Sequence, residues 1–181
     1  MKKSFVLLLA FLIAAVVTGT VFGQTETITE VNWTDVAPMA AASGISGKFY
    51  SISETGLEMW IPDVFIEEEL TDEDFENGFL VYMKTADESA FVNVTYFGVE
   101  GTNVDNYYET LSEMDDITEL EYVIINGVMA LSYTTPELDM STISFANDNG
   151  YVFEFNFLPI SDEGFAQVAT MMGASIRVAE E

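Results

Sequence analysis

The sequence contains no cysteine and no histidine. Without cysteine the chain has no disulfide and no thiol nucleophile, and without histidine it lacks the usual general base near neutral pH. Ser-His-Asp and Cys-His catalytic arrangements are therefore excluded, and zinc, haem and iron–sulfur centres are excluded in practice. No disulfide can stabilise the folded state, so its stability must come from apolar burial.

Sequence motifs for phosphate binding and acyl transfer are also missing, because no Walker loop, GxGxxG or GxSxG occurs. A pair of catalytic carboxylates is not excluded, since 31 acidic residues make some close pair inevitable. We therefore expect a protein that is not an enzyme, and we keep a carboxylate-based hydrolase as the second alternative.

Positive charge is scarce. Five Lys and Arg residues stand against 31 Asp and Glu residues, which gives a formal net charge of −26. Nucleic acids and anionic membranes are bound mainly through Lys and Arg, so neither is expected as a partner. A protein or cationic partner suits this charge better, and the sequence leaves both its identity and the oligomeric state open.

Residues 1–23 have the pattern of a signal peptide. A basic start precedes an apolar run from Phe5 to about Val17, which is shorter than the roughly 20 residues of a membrane span. Small residues then lead to Gly23, after which we expect cleavage. The mature chain is thus predicted to be secreted, either to the outside or into the cell envelope.

The rest of the chain divides into a tether and one domain. Residues 24–47 are small and polar with little apolar periodicity, which predicts a flexible N-terminal tether; Trp33 is the residue that can dock back onto the domain. Residues 48–181 carry most of the aromatic side chains and are predicted to fold as a single domain.

Short strands in hairpins account for much of this domain. Asn126-Gly127 accepts positive φ at both turn positions and predicts a tight hairpin. In residues 151–157 every second residue is aromatic, which predicts one deeply buried face. The predicted hairpins join residues 48–53 to 56–62, 78–85 to 90–96, 120–125 to 128–135 and 142–146 to 151–157.

Two helices interrupt the strands. Apolar residues recur at helical spacing after Thr102 and Asn103, either of which can cap the first turn. A second helix is predicted from a cap at Ser161 to an end at Gly173. The order of strands and helices predicts an α+β fold: an antiparallel sheet of about six to eight strands, built from hairpins, with two main helices packed on it.

These segments occur in the order seen in a known family. They are KFYSISETGLEMWIP, NVDNYYETLSEM, ELEYVIINGVMALSYT, TISFANDNGYVFEFNF and DEGFAQVATMMGASI. Over about residues 48–178 the chain resembles the PsbP-like family, which includes the extrinsic photosystem protein, the Ran-binding nuclear import factor and exported bacterial proteins of unknown role. The resemblance implies an α/β/α sandwich and a non-enzymatic domain that binds another macromolecule. It carries over no functional residue.

Seven of the ten residues in 67–76 are acidic. Three alternating acids in this run are spaced like the first ligands of a calcium loop: Asp72, Asp74 and Glu76. Asn77 stands where an EF-hand needs Gly, and Met83 where it needs Glu. The run is therefore either a solvated surface segment or a calcium site, and a calcium-dependent or cation-binding exported protein is the first alternative function.

The main hypothesis is a secreted, strongly acidic binding or structural domain that recognises another macromolecule. Aromatic residues near strand ends are its candidate anchors: Trp60, Tyr96 and Phe97. The other aromatic residues are expected to form the core.

Overall fold

A computed structural model describes residues 15–21, 24–98, 102–147 and 149–179. Most of the predicted signal peptide lies outside these ranges, and its described part, residues 15–21, forms a strand. None of the helices in the described ranges has the length and apolarity needed to cross a membrane.

The described residues form twelve strands, four helices and one short 3-10 turn. The strands are β1 (Ala15–Val21), β2 (Gln24–Val31), β3 (Gly47–Ile52), β4 (Leu57–Pro62), β5 (Phe65–Glu67), β6 (Phe79–Thr85), β7 (Phe91–Gly98), β8 (Thr118–Ile125), β9 (Val128–Thr135), β10 (Met140–Ala146), β11 (Tyr151–Leu158) and β12 (Arg177–Val178). The helices are α1 (Trp33–Ala42), α2 (Asp72–Glu76), α3 (Val104–Ser112) and α4 (Glu163–Ser175), and the 3-10 turn is Pro136–Leu138.

Nine of these strands form one sheet in the order β1-β2-β8-β9-β10-β11-β7-β6-β5, and β12-β4-β3 form a second, smaller sheet. The α+β class and the four predicted hairpins are confirmed. The large sheet is mixed, however, because β2 runs parallel to β8. A hairpin dictates antiparallel pairing, but β2 and β8 are joined by a long crossover that leaves the direction open.

The flexible tether predicted for residues 24–47 is wrong. This segment forms β2 and α1, and α1 buries Val36 and Ala40, one turn apart, in the core. Trp33, at the start of α1, docks on the domain: its ring lies 5.6 Å from that of Trp60 and 5.8 Å from that of Phe49, between centroids. One Trp and two buried positions are too few to give a periodic sequence signal, yet they fix the helix in place.

The Asn126-Gly127 turn is confirmed, with φ of 48° and 82°. The side chain of Asn126 also joins distant elements. Its Oδ1 accepts a hydrogen bond from the backbone N of Trp33 at 2.6 Å, and its Nδ2 donates to the carbonyl oxygens of Ala174 and Ile176 at 3.0 and 2.8 Å. One hairpin turn thereby ties the start of α1 to the end of α4.

Two apolar clusters fill the spaces on either side of the large sheet. The larger contains Phe155 and Phe157 of β11 and lies under α1, α4 and the small sheet; the other lies under α3 and contains Leu111. The predicted layering of helices on both faces is therefore present. β11 contributes to both faces, since Phe155 and Phe157 belong to the larger cluster and Val152 to the other.

The ends of the two main helices differ partly from the prediction. Asn103 caps α3 as predicted, its Oδ1 accepting from two backbone N–H groups. Asp162, not Ser161, caps α4 by accepting from the backbone N of Phe165 at 2.7 Å. Gly173 does not end α4, which continues to Ser175; a Cβ at Gly173 would lie 2.5 Å from Cδ1 of Ile143, so this glycine allows close packing of helix on sheet.

Candidate functional site

The acidic run, residues 67–76, starts at the last residue of β5 and ends with the short helix α2. Thr71 and Asp74 make a capping box: Asp74 Oδ2 accepts from the backbone N and the hydroxyl of Thr71 at 2.8 and 2.7 Å. The hydrogen bond from the Thr71 side chain lowers the pKa of Asp74. The Asp74 carboxylate thus acts as part of a helix cap.

The geometry of α2 does not bring the predicted calcium ligands together. At 100° per residue, Asp72 and Glu76 lie near one side of the helix and Asp74 points to the other. Within the described ranges, no group of three or more acidic side chains is placed to hold a metal ion. The calcium site remains a prediction, because the helix does not direct its three proposed carboxylate ligands toward one point.

Two of the few basic side chains, Lys84 and Arg177, form ion pairs. Lys84 Nζ lies 2.7 Å from Glu88 and 3.3 Å from Glu68. Arg177 Nε lies 2.7 Å from Glu58, and its guanidinium lies 3.8 Å from the ring centroid of Phe49. These pairs leave the acidic residues in large excess, so the protein surface carries a negative potential.

The three predicted aromatic anchors fall in different environments. Trp60 is buried, and Phe97 is half-buried with its ring 5.7 Å from that of Tyr107. Tyr96 is 37% exposed. Tyr151, predicted to be on the buried face of its strand, is 43% exposed because it begins β11 at the end of the sheet, opposite Gly98.

Tyr96 and Tyr151 are diagonal neighbours on adjacent strands, with ring centroids 6.3 Å apart. The backbone N of Tyr96 donates to the carbonyl of Gly78, and the N of Gly78 donates to the carbonyl of Phe75 in α2. Phe75 is 51% exposed. Three exposed aromatic residues therefore occupy one end of the large sheet beside the acidic helix, and we call them the aromatic surface: Phe75, Tyr96 and Tyr151.

A second group of interacting side chains lies on the α3 face of the sheet. The Glu154 carboxylate of β11 accepts hydrogen bonds from the hydroxyls of Tyr107, at 2.6 Å, and Tyr133. Burial, reinforced by the neighbouring charge of Glu154, raises the pKa of both tyrosines, which keeps them protonated as donors. We call these three residues, with Ser144 directly opposite Glu154 on β10, the Glu154 cluster.

Sequence reasoning missed both groups in part. The alternation in residues 151–157 leaves Glu154 on the face opposite the aromatic residues but predicts no role for it, and Phe75 is not among the predicted anchors. A signal for the Glu154 cluster does exist: three strands carry pairs of polar residues two positions apart, which places each pair on one face of its strand. These pairs are Asn93 and Thr95, Thr142 and Ser144, and Glu154 and Asn156.

No family model matches the chain, and no curated protein matches it significantly. Solved structures do match. The solution structure of cyanobacterial PsbP (CyanoP) from Synechocystis sp. PCC 6803 is similar with a TM-score of 0.51 and 14% identity, over 75% of this chain and 94% of that one.

Two further structures match at lower scores. A protein of Bacteroides thetaiotaomicron VPI-5482 gives a TM-score of 0.45 and 17% identity, over 75% of this chain and 49% of that one. The Ran-binding protein Mog1p of Saccharomyces cerevisiae gives 0.42 and 12%, over 74% and 96%. The element order, the layering and the match to CyanoP together show that this chain has the PsbP-like fold.

Proposed function

We propose that this chain is a secreted, non-enzymatic binding domain that docks a basic partner protein on the aromatic surface. The observation that supports the proposal most directly is the exposure of Phe75, Tyr96 and Tyr151 together at one end of the sheet. Tyrosine is enriched among the residues that dominate binding energy at protein interfaces.

The charge around the aromatic surface selects the partner. α2 places four acidic residues within one helical turn on either side of Phe75. A partner with lysine or arginine around an apolar centre complements this arrangement, whereas an acidic partner is repelled. The match to PsbP-like structures gives the fold and does not choose the partner.

Selection from a displayed library of random 12-residue peptides tests this proposal. Peptides enriched on the protein should carry net positive charge with at least one large apolar residue. Their affinity should fall at least tenfold in the double variant Y96S/Y151S, because each ring is an anchor. Affinity should also fall as salt is raised, since exposed charges are screened.

Leu138 provides the matched control. It is 59% exposed but lies in the turn before β10, at the opposite end of the sheet from Tyr151. Leu138→Ser should leave peptide affinity unchanged. Enrichment of acidic peptides, or equal binding to wild type and Y96S/Y151S, would contradict the proposal.

Export is the second part of the proposal and rests on the pattern of residues 1–23. Expression in a secreting bacterium should yield an exported chain that begins at Gln24, as measured by intact mass. An exported or retained chain that still begins at Met1 would show that this segment is not a cleaved signal peptide.

A further inference from the structure

Polar side chains form a row across the α3 face of the large sheet. The strand register places five of them side by side on successive strands: Tyr133, Thr142, Asn156, Asn93 and Tyr82. Thr142 donates to Asn156 at 2.7 Å, and Asn156 donates to Asn93 at 2.9 Å. This part of the row is internally satisfied, as buried polar groups usually are.

Ser144, in the next row, is not satisfied in this way. Its side chain is 1% exposed, and its Oγ has no hydrogen-bond partner among the described residues. Because Ser144 pairs directly with Glu154 in the β10–β11 register, both side chains lie on the same face. A buried hydroxyl without a partner destabilises the fold unless a further group is bound there.

Glu154 also has an incomplete environment. Its carboxylate is half-buried and accepts from two neutral phenols. The salt bridges within the described ranges involve Glu58, Glu68 and Glu88, and none of them includes Glu154. Two neutral hydroxyls are thus the hydrogen-bond donors to this carboxylate, and within the described ranges no lysine or arginine forms an ion pair with it.

We propose that the Glu154 cluster binds a monovalent metal cation, Na⁺ or K⁺. The cluster offers only oxygen atoms: one carboxylate, two phenol oxygens that keep lone pairs after donating to Glu154, and the Ser144 hydroxyl. One carboxylate balances one positive charge, whereas Ca²⁺ sites use several carboxylates. The net charge of −26 raises the local concentration of small cations around the protein.

This inference goes beyond the proposed function, since the cluster lies on the α3 face and does not include the aromatic surface. The full chain is melted in NaCl, in KCl and in tetramethylammonium chloride at equal ionic strength. All three salts screen surface charge alike, but tetramethylammonium is too large for a site between side chains. When the metal ion is present at ten times its dissociation constant, the melting temperature should be about 3 °C or more above that in tetramethylammonium chloride.

Three variants locate the effect. Ser144→Ala removes the unpartnered hydroxyl, so it should fold well and lose the preference for the metal ion; Glu154→Gln should lose it too. Glu67→Gln is the control, because Glu67 also accepts a 2.6 Å hydrogen bond from a tyrosine, Tyr50, but at an exposed site. Its ion preference should equal that of the wild type.

The proposal is overturned if the wild type melts at the same temperature in all three salts, or if Ser144→Ala keeps the full difference. A comparison of the NaCl and KCl curves identifies the ion. If Glu154→Gln fails to fold, the comparison of Ser144→Ala with the wild type in the three salts decides the question. Peptide binding at the aromatic surface is measured separately, so either proposal can fail while the other stands.

Discussion

At the scale of single residues, two glycines on strands have opposite packing environments. A Cβ at Gly47 would lie 2.5 Å from the carbonyl oxygen of Ile61 and 2.6 Å from the ring of Trp60. A Cβ at Gly98 would meet only the ring of Tyr151, at 3.5 Å, an ordinary contact. Gly47 therefore allows the Trp60 ring, and with it the Trp33 contact, to lie against the backbone of β3.

We expect Gly47→Ala to lower the free energy of unfolding by about 2 kcal/mol, because the added methyl overpacks a rigid site. Gly98→Ala, the matched strand variant, should change it by less than about 0.5 kcal/mol. Urea denaturation measures both. Equal stabilities of the two variants would mean that Trp60 can move away from β3 at little cost.

At the scale of elements, Asn126 joins a hairpin, the start of α1 and the end of α4 through three hydrogen bonds. Asn126→Asp keeps the acceptor for the Trp33 N–H but places a carboxylate oxygen against two carbonyl oxygens. We expect this variant to lose about 2 to 3 kcal/mol, since two buried acceptors lose their donor and face a like charge.

Asn126→Gly is the companion variant, because it keeps the positive φ while removing the side chain. It should also be less stable than wild type, although its turn conformation is easier to adopt. Hydrogen exchange should show faster opening of α1 in both variants. Wild-type exchange rates in α1 would show that the apolar contacts of Trp33, Val36 and Ala40 hold this helix without Asn126.

The same elements show how far the sequence determines the fold. Hairpins and the α3 cap depend on neighbouring residues, so the Asn126-Gly127 turn and the Asn103 cap were predictable from local patterns. The position of α1 depends on contacts of Trp33 with residues distant in sequence, such as Asn126 and Trp60, so local patterns predict a tether there. The parallel pairing of β2 with β8 is missed for the same reason.

The candidate sites divide in a similar way. Tyr96 was predictable as an exposed anchor because strand ends lie at the border of a core. Tyr151 joins it through the register of β7 and β11, and Phe75 joins it through the backbone hydrogen bonds of Gly78, neither of which a single strand reveals. Ser144 and Glu154 face each other for the same reason, so the cluster appears only when the sheet is assembled.

At the scale of the whole molecule, the net charge of −26 governs the response to salt. Repulsion among charges of one sign destabilises the compact folded state, and added ions screen this repulsion. In a constant NaCl background, we expect calcium and magnesium at matched ionic strength to raise the melting temperature equally, because the acids of α2 face different directions and Asp74 caps the helix.

The melting temperature of the full chain in millimolar CaCl₂ is compared with that in MgCl₂. Asp72→Asn and Glu76→Gln should respond to both salts as the wild type does. A rise of several degrees with calcium alone, lost in these variants, would instead establish the calcium site predicted from the sequence.

The turn at Asn126 also affects the chemical degradation of the protein during storage. In a flexible chain, an asparagine followed by glycine loses ammonia readily, because the glycine nitrogen can swing onto the side-chain carbonyl and close a five-membered ring. Here hydrogen bonds hold that side chain at both of its polar atoms. Deamidation at this position is therefore confined to moments when the turn has opened, so the fraction of deamidated chains in a stored sample records how long the protein has spent locally unfolded.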